Sequence, residues 1–172
     1  GKVNAAACTQ VLIDHFAVDC VINVGVAGGI FADLKIGDVV ISTDAVQHDM
    51  DVSALGDPIG TIPRMDESYF KADEELIELA EKAGETLEGH NVYKGRVASG
   101  DKFISTQEQK TFLWNNFKAY CAEMEGAAMA HVCYLNRIPF VIIRSISDNA
   151  DGSAGISYNE FKDTAAKNSS II

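Results

Sequence analysis

Short apolar runs alternate with segments of helical period along the whole chain, and this alternation most constrains the fold. Cys20-Val21-Ile22-Asn23-Val24 reads as a buried strand, and Gly25-Val26-Ala27-Gly28-Gly29 follows it. Val39-Val40-Ile41-Ser42 follows the turn signal Gly37-Asp38 and reads as a second strand. Val92-Tyr93 with Val97-Ala98, then Tyr120-Cys121-Ala122, then 139–147 supply the others. Residues 2–16, 73–88, 107–117 and 125–135, and a last stretch from about Asn159, read as helices. Val3, Ala6, Ala7, Val11 and Leu12 recur at helical spacing in the first. Leu76, Ile77, Leu79, Ala80, Ala83 and Leu87 make the inward face of the second. Ala127, Ala128, Val132 and Leu135 do so for 125–135. No repeat or linker interrupts the pattern. It predicts one α/β domain over 1–172, a three-layer sandwich with a mixed, mostly parallel central sheet flanked by helices.

At 172 residues, 47% of them hydrophobic, the chain can bury a full core. A formal charge of -11 argues against a nucleic-acid backbone as partner, but not against small nucleosides. No apolar run approaches the ~18 residues of a membrane span, and no signal peptide is visible. Cys8, Cys20, Cys121 and Cys133 form no C-x-x-C pair and lie in apolar segments, so they read as buried reduced thiols of a cytoplasmic protein. His15, His48, His90 and His131 lack metal-ligand spacing and read as structural or surface residues; neither a metal nor a cofactor is expected. The chain opens within a helical pattern and stops within another at Ile171-Ile172, which reads as a domain lacking an N-terminal segment and its C-terminal end.

Chemistry-bearing residues collect where strands run out. Asp148 follows the apolar run Pro139-Phe140-Val141-Ile142-Ile143, at the strand end where α/β sheets gather ligands, with a loop expected over 148–157. Glu123 and Glu125 open a helix: they are either a charge preference at a helix N-terminus or acceptors for a sugar diol. Small Ala27 and Gly28 make a tight turn or let a ligand approach the backbone. Phe103 and Ile104, after Ser99-Gly100-Asp101-Lys102, are a core turn, or a stacking ring and a backbone edge for a flat base. Arg144, within an apolar strand, must be paired, either structurally or in fixing a carboxylate or water. The turn-rich stretch 47–64 is long enough to be functional.

These motifs together resemble the nucleoside phosphorylase and nucleosidase superfamily, and within it the bacterial nucleosidases of 5′-methylthioadenosine and S-adenosylhomocysteine. The resemblance runs from Gly1-Lys2-Val3-Asn4-Ala5-Ala6 through Asn23–Gly29, Lys35–Val40, His48–Val52, Ser99–Ile104 and Glu123–Ala128 to Arg144–Asp148. It implies hydrolysis of the N-glycosidic bond with release of adenine. Asp148 would be the acid protonating N7 of the departing adenine, and Glu125 the ribose-hydroxyl acceptor beside Met124 and Glu123. Ile104 would pair with adenine through its backbone, Phe103 would stack, and Arg144 would help place the attacking water. Ser147, Ala27 and Gly28 fall among the substrate-binding positions, and Tyr158 would be an aromatic lid. Val52, Leu55 and Pro63 would reach across a homodimer interface to a shared site. Two departures stand out: the family's water-activating glutamate maps upstream of Gly1, and Val26 replaces a serine of some members.

Such a reaction builds positive charge on ribose and negative charge on the base, so the acid must stay protonated near neutral pH. The alternatives are a purine nucleoside phosphorylase, or a nucleoside-binding protein of the same fold without catalysis. A phosphorylase needs cations for phosphate, and where the phosphorylase branch carries an arginine this chain has Asn23.

Overall fold

A computed structural model describes residues 1–169 and 171–172. Helix α1 (Lys2–His15) leads into β1 (Val21–Gly29) and β2 (Val39–Gln47), then a single 3-10 turn (Ser53–Leu55) and the short β3 (Tyr69–Lys71). Helix α2 (Glu74–Gly84), β4 (Val92–Ser99), α3 (Gln107–Phe117), β5 (Ala119–Glu123), α4 (Gly126–Asn136), β6 (Phe140–Asp148) and α5 (Ala154–Ser169) follow.

The six strands form one mixed sheet in the order β3-β2-β4-β5-β1-β6. The ladders β1–β6, β2–β4 and β4–β5 are parallel, and the shorter β2–β3, β1–β5 and β2–β6 contacts are antiparallel. The β2–β6 pairing, Val39 to Ser145 through Ile41 to Ile143, curls the sheet so that β6 is enclosed on both edges. All nine β6 residues are therefore buried, and the strand reads as a continuous apolar run instead of an alternation. One sheet face carries Val40, Val97, Cys121 and Ile142, packed against Met129, Ala130 and Cys133 of α4. The opposite face carries Val39, Ile41, Val141 and Ile143 against Ala80 and Leu76 of α2. Sheet and helices thus make the expected layers.

Local chemistry sets the element ends. Asp73 accepts the Leu76 N–H at 3.0 Å and Thr106 accepts the Gln109 N–H at 3.3 Å, capping α2 and α3. Helix α3 ends where Lys118 turns left-handed at φ 52°, and α4 where Arg137 does so at 58°.

Several expectations are corrected. Gly25–Gly29 is not a turn: β1 continues through it to Gly29. The glycines are needed for approach. A Cβ at Gly25 would lie 3.2 Å from Arg144 Nη1, and one at Gly28 3.0 Å from Asp148 Oδ1. Residues 148–157 are not one loop, because Asp148 closes β6 and α5 starts at Ala154. Asp151 starts it early, accepting the Ser153 N–H at 2.9 Å and, through its carbonyl, the Ala154 N–H at 2.9 Å. Leu79 and Leu135 are exposed, at the margins of their helices' inward arcs. Cys8 and Cys20 are exposed while Cys121 and Cys133 are buried, and all four thiols are free.

Candidate functional site

Strand register brings the chemistry to one place. Gly28 is opposite Ala122 and Asp148, and Ser99 is opposite Glu123, so the carboxyl ends of β1, β4, β5 and β6 converge. A cavity of about 280 Å³ opens there. Ala27, Gly28, Phe103, Glu123, Met124, Glu125, Ser147, Asp148 and Tyr158 line it, together with Val26 and Ala122. A side pocket of about 30 Å³ carries Ile104 and shares Gly28, Phe103, Glu123, Met124 and Asp148 with it. Larger hollows lie elsewhere. One of about 480 Å³, at the start of β6, holds Phe70, Tyr134 and Arg137 but none of the sheet-end carboxylates.

Asp148 is 1% exposed. Its Oδ1 accepts the Ala150 N–H and its Oδ2 the Ser147 hydroxyl, both at 2.9 Å. Burial pushes its pKa up. The Ala150 and Ser147 donors pull the other way, the charge of Asp151 raises it further, and Lys110 lowers it. Burial is the largest of these effects, so a carboxyl that would be ionised in water is held toward its neutral form.

The two members of the acidic pair have different surroundings. Glu123 is the helix-terminal charge: its side chain is 2% exposed and accepts Gly126 N–H at 2.8 Å and Glu125 N–H at 3.1 Å. It also takes the Ser99 hydroxyl and a 2.6 Å contact from Arg144 Nη2. With both oxygens occupied, Glu123 shapes the cavity wall and is not a free diol acceptor. Glu125 keeps an accessible carboxylate, 43% exposed. Its side chain caps nothing.

Arg144 stands one layer behind the cavity, 3% exposed. Besides Glu123, it donates to the Asn23 carbonyl at 3.0 Å and to the Asn23 side-chain oxygen. Its Nε is buried with no hydrogen-bond partner among the described residues. Phe103 is not core: it is 44% exposed, at the cavity mouth, edge-on to Tyr158 at 5.9 Å and 75°. Val52, Leu55 and Pro63 line neither the cavity nor the side pocket. They lie on the segment after β2, where Leu55 is 81% exposed.

Sequence reasoning missed the bracing residues. Ser99 donates to Glu123 and accepts the Ala127 N–H at 2.7 Å, tying β4 to the start of α4. Ala150 adopts a left-handed φ of 51° with its side chain fully buried, which brings its N–H back to Asp148. No local pattern signals either, although a polar serine ending an apolar strand hints at the first. Among the described residues no cluster of three His, Cys, Asp or Glu could hold a metal, and no helix is long and apolar enough to cross a membrane.

A family model described as "Phosphorylase superfamily" matches residues 1–172. The 5′-methylthioadenosine/S-adenosylhomocysteine nucleosidase of Geobacillus kaustophilus is 46% identical over 173 residues, covering 100% of this chain and 73% of its own. The Neisseria meningitidis nucleosidase of that name, solved in complex with methylthio-immucillin-A, superimposes with a TM-score of 0.95 at 46% identity, over 99% of this chain and 74% of that one. Futalosine hydrolase of Helicobacter pylori superimposes with a TM-score of 0.93 at 40% identity, over 98% and 72%. A match along the whole chain, with the buried acid, the aromatic mouth and the glutamate pair in one cavity, places this protein in the phosphorylase superfamily, among the 5′-methylthioadenosine/S-adenosylhomocysteine nucleosidases.

Proposed function

We propose that this protein hydrolyses the N-glycosidic bond of 5′-methylthioadenosine and S-adenosylhomocysteine, releasing adenine and a 5-thioribose product. The observation that carries the reading is Asp148: a buried carboxyl, biased toward its neutral form, in the wall of a cavity with an aromatic mouth. The Ala150 N–H at Oδ1 can only donate, whereas the Ser147 hydroxyl at Oδ2 can turn to accept, so the transferable proton belongs on Oδ2. Delivered to N7, it neutralises the charge building on the departing base, an effect of about 10²–10⁴-fold. Phe103 stacks on the adenine, the backbone of Ile104 reads its edge from the side pocket, and Met124 packs the ribose. Glu125 accepts the ribose hydroxyls and so holds the sugar while the bond opens. Ala27, Gly28 and Ser147 line the close approach to the base, and Tyr158 closes over the 5′ substituent.

Arg144 orders the wall through Glu123 and Asn23, and in doing so helps to place the incoming water. The same pairing argues against phosphate as the nucleophile. Arg144, the guanidinium beside Gly25 of β1, is already matched by Glu123, and Asn23 adds no charge. We further propose that the enzyme works as a homodimer with a shared site. Val52, Leu55 and Pro63 stand clear of their own cavity, and an 81% exposed leucine suits a partner's apolar 5′-thioether tail. Small adenine nucleosides are its ligands, with no nucleic acid among its partners, and its setting is the cytoplasm.

Adenine release from 5′-methylthioadenosine, followed with and without phosphate, tests the reading. Release at the same rate in both supports hydrolysis. Release only with phosphate, yielding ribose 1-phosphate chemistry, would replace it with phosphorolysis.

A further inference from the structure

Lys110 stands on the second turn of α3, where charged side chains ordinarily face water. It does not: its ammonium is half-buried and donates to the carbonyl of Asn149 at 2.7 Å. Asn149 is the residue between Asp148 and Ala150, so this bond grips the turn that carries the acid. That turn needs a grip. Ala150 is left-handed at φ 51°, a conformation costing about 1–2 kcal/mol for a residue with a Cβ, and its N–H must point back at Asp148 Oδ1. Lys110 lines a hollow together with Phe31 and Trp114.

We propose that Lys110 is a positioning residue for Asp148. Its ammonium holds the Asn149 carbonyl so that the acid keeps its aim, and its positive charge limits how far up in pH the acid remains protonated. The proposal rests on the reading of Asp148 as the proton donor. The ionisable groups facing Asp148 are Lys110 from α3, Asp151 from the turn, and Glu123, Glu125 and Tyr158 across the cavity, with Lys102 at the side pocket. Lys110 is the cation hydrogen-bonded to the acid's own turn. Burial lowers its pKa while Asp151 and Asp148 raise it, in keeping with an ammonium that faces both carboxylates.

The sign follows directly. An acid that must be protonated loses activity as pH rises through its pKa, and removing a neighbouring positive charge disfavours the ionised form. The alkaline limb of kcat therefore moves upward in Lys110→Gln and Lys110→Met. In Lys110→Met, which also loses the donor, kcat at neutral pH falls about tenfold while KM stays within about threefold. Lys110→Arg restores the parent limb. Limbs that superimpose on the parent's in both neutral variants, or a KM that rises with kcat unchanged, would overturn the proposal. A carboxyl titration separates this from failure of the underlying reading. The Asp148 ¹³C resonance, assigned by its loss in Asp148→Asn, is followed in the parent and in Lys110→Gln. An upward move supports the Lys110 role even if the parent releases no adenine, and an unmoved titration overturns it even if the parent is active.

Discussion

Arg144 and Glu123 meet at 2.6 Å with side chains 3% and 2% exposed, and this pair braces the wall between β5, β6 and the start of α4. A buried pair of this kind adds little net stability, but either partner alone is a stranded charge. Glu123→Ala leaves the guanidinium with only Asn23 and a neighbouring carbonyl. The variant should lose about 3–5 kcal/mol in urea unfolding. Glu123→Gln, which keeps an acceptor, should lose less. A loss under about 1 kcal/mol for the alanine variant would show that the pair is not the brace.

Gly28 faces the acid so closely that an added methyl must displace something. A Cβ there lies 3.0 Å from both Asp148 Oδ1 and the Ala150 side chain. Gly28→Ala should lower kcat by about tenfold or more while the protein stays folded by circular dichroism. Unchanged turnover would mean that the Asp148 carboxyl tolerates a shift of several tenths of an ångström.

Asp148 also makes a prediction about stability. Its folded pKa is raised, mainly by burial, above the value of an unfolded aspartate. The folded state then binds the proton more tightly, so this group's contribution is fully present below the unfolded pKa, near 3.9, and is lost as pH rises through the folded value. At neutral pH the unfolded chain gives up this proton more readily than the folded one, so the group weighs on the fold there. Asp148→Asn should therefore raise Tm at pH 7, by about 2–4 °C for each kcal/mol relieved, and the gain should vanish toward pH 4. A variant that melts lower than the parent at pH 7 and equal to it at pH 4 would contradict this.

Leu55 tests the shared site. Leu55→Asp puts a charge on an 81% exposed apolar residue far from its own cavity, so a monomer would barely register it. A dimer with shared sites should dissociate in sedimentation or show a KM for 5′-methylthioadenosine raised about tenfold. Parent-like sedimentation and KM would remove Leu55 from the site.

The strands, and the buried Asp148 at the end of one, were legible because burial writes itself into composition. An apolar run ending in Asp148 marks a strand end wherever β6 sits in the sheet. The stretch Gly25–Gly29 was not, since glycines placed for a guanidinium and a carboxylate look the same as glycines placed for a turn. The division of labour between Glu123 and Glu125 depends on the Ser99–Glu123 register and on Arg144 arriving from another strand, neither of which is local. The exposure of Cys8, Cys20, Leu79 and Leu135 likewise depends on which helix faces the sheet covers. Lys110 was invisible because a lysine on a helix reads as a solvated charge until the Asn149 carbonyl is found beside it.

The most direct test is single-turnover adenine release by Asp148→Asn alongside equilibrium binding of 5′-methylthioadenosine. The asparagine matches the carboxyl in shape and can still satisfy Ala150 and Ser147, but it has no proton to give N7. Release slowed by about 10²–10⁴-fold with Kd within about threefold is the predicted result. Release near the parent rate, with binding intact, would mean that the proton reaches the purine from elsewhere.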